Sequence, residues 1–253
     1  MNVKELYEKI SEKIPESLRM EWDNDGIMCC TDSTAIVKRV LVALDVTDEV
    51  VEYAIRGDFD LIISHHPLIF RPLAAINDEN HIARKVIKLI ESGISVFSFH
   101  TRADIVKGGV NDILADLVGL YSIVPFGECG LGRIGELDEE CSLDDFASGV
   151  KLSLGVDSLR VADGYNTVKR VAVVGGDGKD FVADAIAAGA DTYVSGRIGY
   201  NVMTEAAEMG INLIEAGHFF TEHPVTEYFA SLVQRICPEL YVQSVNSNLI
   251  KII

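Results

Sequence analysis

The side chains best suited to chemistry are histidines and carboxylates at three places along the chain: His65 with His66, His100 with Asp104, and His218 with Glu222. His65 and His66 close the apolar run Leu61-Ile62-Ile63-Ser64. Successive strand side chains point to opposite faces, so adjacent imidazoles reach one place only if the backbone turns where the strand ends. Pro67 imposes such a turn, because its ring fixes its own φ and pushes His66 out of the helical region. Both rings can therefore converge on one crevice at the carboxyl end of a strand, where open α/β sheets place their ligands; the alternative is one packed histidine and one solvated one. His100-x-x-x-Asp104 and His218-x-x-x-Glu222 put a histidine and a carboxylate on one face of any helix that starts there. Imidazole and carboxylate without thiolate suit Zn, Fe, Mn or Ni better than a structural zinc site of the cysteine type. The set is large enough for two ions, and Glu222 is long enough to bridge them. Two metals about 3.5–4 Å apart can activate a water and clamp an oxyanion. His81 and His223 stand outside this pattern and are expected at the surface.

These groups need elements to carry them. Residues 2–14 space their apolar side chains as an amphipathic helix with Asn2 as cap. The runs 40–46, 59–64 and 94–99 read as buried strands. Thr47 can cap a helix through Val50, Val51, Ala54 and Ile55, a helix over about 80–91 ends at Gly93, and another follows Gly108-Gly109. Strands alternating with helices predict parallel βαβ units. The glycine-rich stretch 127–135 marks a connection, after which 133–137 looks extended, 142–154 helical and 157–162 extended. Trp22, the one tryptophan, sits among the turn-forming residues 21–26, bordering a site or covering the core. Residues 174–179 lack the GxxxxGK[ST] spacing, and Asp177 would repel phosphate, so a tight turn is the expected role. Neither a GxSxG elbow nor HExxH occurs.

The chain also repeats itself. Residues 38–64 lie over 169–195 without a gap, 131 positions apart (169 − 38). Lys38-Arg39-Val40 falls on Lys169-Arg170-Val171, Asp60 on Asp191 and Ser64 on Ser195. Gly93-Ile94 then resembles Gly210-Ile211, each opening a strand that leads to a histidine and an acid. The copies differ where chemistry would sit: two histidines follow Ser64, and Gly196-Arg197 follows Ser195. Two related α/β lobes with one site assembled from three strand ends are the expectation.

Composition bounds the rest. With 253 residues, 48 % hydrophobic and 24 % charged, the chain suits one large or two intimate domains of an ordinary globular protein. A net charge of −17 argues against nucleic acid as a general partner, because phosphate binding needs a basic footprint. The N-terminal stretch mixes charges throughout, unlike a signal peptide, and no apolar run is long enough to cross a bilayer. Five scattered cysteines without a CxxC pair fit a reducing cytoplasm.

The segments EWDNDGI (21–27), ISHHPLIF (63–70), HTRADIVKGGVND (100–112), GLGRIGEL (130–137) and GHFFTE (217–222) resemble the Nif-three-like dinuclear-metal proteins, often called GTP cyclohydrolase 1 type 2. The chain looks like the short form, without the inserted domain of longer members. The resemblance implies two similar, duplicated α/β lobes with mixed, mainly parallel sheets flanked by helices, and a metal site in the cleft between them. The first lobe would hold 1–125 plus about 213–253 and carry the ligands; the second would hold about 126–212. By the same likeness His65 and Asp104 bind one divalent ion, His66 and His218 the other, and Glu222 bridges. His100 is kept as an auxiliary residue behind the ligands. A hexameric ring is implied, as is hydrolysis of a nucleotide by metal-activated water. The alternative is a non-enzymatic ring that carries metal or docks partners. In one respect the chain departs from the family: many relatives have an acid and a histidine near 196–201, where Arg197 and Asn201 stand here.

Overall fold

The first helix begins with a reciprocal cap: the Asn2 side chain accepts from the Glu5 amide while the Glu5 carboxylate accepts from the Asn2 amide. In this computed structural model, which describes residues 1–251, that cap starts α1 (Val3–Ser11). Then come β1 (Gly26–Cys29), β2 (Arg39–Ala43), α2 (Asp48–Arg56), β3 (Leu61–Ser64), α3 (His81–Glu91), β4 (Ser95–Ser98) and α4 (Thr101–Ile105). They are followed by α5 (Val110–Leu117), β5 (Tyr121–Phe126), β6 (Gly132–Cys141), α6 (Leu143–Leu154), β7 (Arg160–Ala162), β8 (Val168–Asp177) and α7 (Val182–Ala187). The last elements are β9 (Thr192–Arg197), α8 (Tyr200–Glu208), β10 (Asn212–Glu215), α9 (His218–Glu222), α10 (Val225–Ile236) and β11 (Tyr241–Ser244). Thr47 caps α2 as the sequence predicts, and Asn80 caps α3.

The chain forms two compact units, Met1–Val106 with Val225–Lys251, and Lys107–Pro224. Residues 107–125 and 213–224, which the sequence reading gives to the first lobe, pack in the second unit. The reason is pairing: β10 lies parallel to β9, and α5 covers the sheet that contains β8. His218 and Glu222 follow β10 directly and so belong to the second unit.

In the first unit the strand order is β1-β4-β3-β2-β11, parallel except for β1. Leu41, Ile62 and Val96 on one face pack with Val50, Ala54, Val86 and Leu89. Each fully buried aliphatic side chain of this kind contributes about 1.5–3 kcal/mol. In the second unit the order is β5-β6-β8-β9-β10-β7. Only β8, β9 and β10 run parallel; β5, β6 and β7 pair antiparallel, so this sheet is mixed. The glycine-rich stretch belongs partly to β6. A Cβ on Gly135 would come 2.7 Å from the Tyr121 carbonyl oxygen, so glycine here permits the close approach of β5.

The internal repeat holds at the level of hydrogen bonds. Val40 pairs Leu61, and Val171 pairs Thr192, positions that correspond under the same offset. Asp60 Oδ2 accepts from the amides of Lys38 and Arg39 at 2.7 and 2.8 Å. Asp191 Oδ2 accepts from Lys169 and Arg170 at 3.0 and 2.7 Å. At the strand exits the Phe99 amide donates to Ser64 O, and the Ala216 amide to Ser195 O. Two residues later each copy starts a short helix, α4 at Thr101 and α9 at His218. In register, then, His218 matches Thr101. His100 sits one position earlier, before its helix, and the common histidine-to-acid spacing is displaced by one residue between the copies.

Glu215, at the end of β10, fixes the chain after β9: Oε2 accepts from the amides of Ile198 and Gly199 at 2.7 and 2.9 Å. Burial works against its charge, but those amides and the Arg160 guanidinium outweigh it and hold the carboxyl below its ordinary range. Such a group stabilises the fold fully above its unfolded value of 4.5 and loses that contribution as pH falls through its lower folded value. In urea unfolding the stability gap between wild type and Glu215→Gln is expected to be constant near neutrality and to close as the solution is acidified below 4.5. A gap independent of pH would rule out this clamp.

Candidate metal centre

β3 is buried along its whole length, and its end is locked by Ser64, whose hydroxyl lies 2.8 Å from both the His66 carbonyl and the Ser98 hydroxyl. The His66 amide donates to Leu44 O. The chain therefore turns after Ser64, as the Pro67 argument requires, and the rings of His65 and His66 converge with centroids 5.0 Å apart. His100 joins them at 5.2 Å from His65 and 5.7 Å from His66. Ligand atoms of these three histidines lie within 4.8 Å of one another. Asp104 is beside them, its Oδ1 3.5 Å from His65 Nε2.

Each ring is anchored through Nδ1, and carbonyl and carboxylate oxygens make that nitrogen the donor. His65 donates to Phe99 O at 3.0 Å, His66 to Asp45 Oδ1 at 2.7 Å and His100 to Asp23 Oδ1 at 2.8 Å. Nε2 is then the nitrogen through which each can ligate an ion. A histidine held from behind by a carboxylate or carbonyl is the usual arrangement of a metal ligand, because the partner fixes the tautomer and raises basicity. The donor set therefore fits a divalent ion of the imidazole-and-carboxylate class. Asp45 is in turn fixed by Ser247, whose hydroxyl accepts from the Asp45 amide at 3.1 Å and donates to Oδ2 at 3.3 Å.

The segment Asp23-Asn24-Asp25 holds α4 in place. Asp23 Oδ2 accepts from the Thr101 amide and hydroxyl at 3.0 and 2.6 Å, capping a helix that has no cap of its own. Burial pushes the Asp23 carboxyl up, but His100 and Thr101 outweigh it and bring it down to about 2. Asp25 Oδ2 accepts from the His100 amide and from Arg102 Nε. Arg102 is fully buried and also donates to Ile14 O and Tyr7 Oη, both at 3.1 Å. Trp22 does not cover the core: it is mostly exposed and meets His100 edge to face.

In the second unit, α9 brings His218 Nε2 to 3.0 Å from Glu222 Oε2, the face-sharing that the four-residue spacing predicts. Gly176 allows it. With φ +67 it lies against α9, and a Cβ there would meet the Glu222 carboxylate and come 3.3 Å from His218 Nε2. The Gly176 amide also donates to the Thr221 hydroxyl at 3.1 Å, holding α9 on β8. So 174–179 forms a surface for α9 rather than only a turn. Asn111 fastens β8 to the residue just before β6, accepting from the Gly175 amide at 2.7 Å and donating to Leu131 O at 3.0 Å. Arg197 ends β9 largely exposed, its Nη1 3.8 Å from Asp177, and Asn201 is exposed on α8. His81 is exposed as expected, whereas His223 is half-buried and stacks on Phe219 at 4.6 Å.

The family model for Duf34/NIF3 (NGG1p interacting factor 3) matches residues 1–251. The chain belongs to this family. A Clostridium perfringens member named GTP cyclohydrolase 1 type 2 homolog is 37% identical over 232 residues, covering 89% of this chain and 88% of its own. The Duf34/NIF3 likeness extends to solved structures. A Bacillus cereus protein related to NIF3 superposes with TM-score 0.90 at 26% identity, covering 100% of this chain and 99% of that one. The Staphylococcus aureus hypothetical protein SA1388 does so with TM-score 0.90 at 29% identity, over the same shares.

Sequence reasoning did not find Asp45 or the part played by Asp23. Asp45 was hidden inside an apparently continuous apolar run, although a lone acid at the carboxyl end of a buried strand is a usable signal. Asp23 lies in EWDNDGI, which resembles the Duf34/NIF3 pattern without revealing that its acids cap α4. No helix among the described residues is long and apolar enough to cross a membrane.

Proposed function

We propose that the protein is a metal-dependent hydrolase of small nucleotide-like substrates, with two divalent ions held by His65, His66, Asp104, His218 and Glu222. In this reading His65 and Asp104 hold one ion, His66 and His218 the other, and the Glu222 carboxylate serves both. The observation that carries it is the anchoring of three neighbouring imidazoles through Nδ1 on Phe99 O, Asp45 and Asp23. Bound ions of this class activate water and stabilise the negative charge that develops on the substrate. The chain's own residues do the rest. Asp45 and Asp23 keep the rings in one tautomer and orientation, Ser64 and Pro67 set the turn that aims His65 and His66, and Gly176 gives the Glu222 carboxylate its place beside His218. The Clostridium relative's name makes GTP the first substrate to try, with purine ring opening and loss of formate as the reaction. The reading includes a hexameric ring as the working form and, in keeping with five unpaired thiols, a reducing cytoplasm.

The test is metal content per chain in protein purified without a histidine tag, beside His66→Ala and Glu222→Ala, followed by formate release from GTP. About two ions per chain, falling in both variants, is the expected result. Wild-type protein that stays metal-free after reconstitution would sink the ligand assignment. Bound metal with no turnover of any nucleotide would favour a metal-carrying ring instead.

A further inference from the structure

Trp22 is 60% exposed and Phe70 44% exposed, yet the segments that carry them are tied down. Next to Trp22, Asp23 is buried and bonded to His100 and Thr101. Asn24 Nδ2 donates to Ile69 O at 2.5 Å, tying the Trp22 segment to the Phe70 segment. The two rings meet edge to face at 6.2 Å, and each meets His100 in the same way at 6.1 Å. Capping of α4 explains Asp23 and Asp25, but it asks nothing of the residues at 22 and 70, and neither ring adds to the core. Water-facing aromatic surface in a fixed position beside an imidazole cluster is what a planar ligand ring needs. An edge-to-face contact covers one face of one ring only, and the exposure of Trp22 and Phe70 leaves aromatic surface to water that can accept a nucleobase by stacking.

We propose that Trp22 and Phe70 form a stacking platform for the purine ring of the substrate, beside the histidine cluster. The proposal rests on the metal-dependent hydrolase reading and names the part of the substrate that this edge of the site recognises. Trp22 is the chain's single tryptophan, so its emission reports on the platform directly.

The experiment titrates metal-loaded protein with guanosine monophosphate and, separately, with ribose 5-phosphate, following tryptophan emission. The same ligands are measured by calorimetry on Trp22→Ala and Phe70→Ala, with metal content determined for each. Saturable quenching by the nucleotide and none by the sugar phosphate is expected, with nucleotide affinity about tenfold or more weaker in both variants and their metal retained. Equal responses to the two ligands, no response to either, or wild-type nucleotide affinity in the variants would overturn the platform. So would loss of metal from both variants, which would make the rings supports for the ligand set. Emission that changes on dilution but not with nucleotide would assign the face to a second copy of the chain and also overturn it. Failure of the hydrolase reading is seen separately, as wild-type protein that holds no metal.

Discussion

Arg102→Ala is expected to cost about 3–5 kcal/mol of folding stability, the largest effect of any single replacement considered for this protein. The guanidinium is fully buried and donates to three groups: Asp25 before β1, Ile14 O after α1, and the Tyr7 hydroxyl within α1. Its carbon also lies 4.5 Å from the centre of the Phe99 ring. Truncation leaves the Asp25 carboxylate, whose pKa burial already raises, without its main cationic partner. Asp25 accepts from the His100 amide too, so α4 should loosen along with the fold. Chemical denaturation measures the loss. Arg102→Met combined with Asp25→Leu removes both charges and should recover much of the deficit, because the penalty comes from an unpaired buried charge. A double variant no better than the single one would mean that packing, and not charge, is at stake.

The second large effect concerns metal affinity. Asp45→Ala is expected to weaken divalent-ion binding about 10–100-fold while leaving the unfolding midpoint of the metal-free protein nearly unchanged. Asp45 holds His66 through Nδ1 at 2.7 Å, and its side chain is partly exposed, so its removal leaves no hole in the core. Asp45→Asn keeps an acceptor but loses the charge and should fall between the two. Ser247→Ala, which only frees the acid to rotate, should have a smaller effect in the same direction. Competition with a chromophoric chelator gives the affinities, and equal values for all four proteins would remove Asp45 from the site.

Much of this architecture was legible because local chemistry and tertiary structure agree. Asn2 and Thr47 cap the helices that they precede, and apolar runs at 40–46 and 59–64 become the central strands β2 and β3. The convergence of His65 and His66 followed from one proline. What stayed hidden was non-local. β1 is short, β5 is exposed along most of its length, and both gain definition only from their partners β4 and β6. The unit boundary could not be read because α5 and β10 choose their sheet by packing, which no spacing records. Asp23 reaches His100 across 77 positions of sequence, and nothing in the motif EWDNDGI announces its target.

The one-residue displacement between α4 and α9 bears on how two similar strand–helix connections aim their histidines and acids differently. A helix turns about 100° per residue. Moving the histidine from the position before the helix to its first residue therefore swings the side chain by more than a quarter turn, and moving the acid one place along carries it round as well. The strand exits that feed the two helices share one hydrogen bond, Phe99 N to Ser64 O in one copy and Ala216 N to Ser195 O in the other. The effect is like re-indexing a dial on a fixed mount: the strand-to-helix connection is common to both copies, and the direction of each side chain is set by where along five residues it is written. A relative that carries its histidine at the position of Thr101 would present the first copy's chemistry in the second copy's direction.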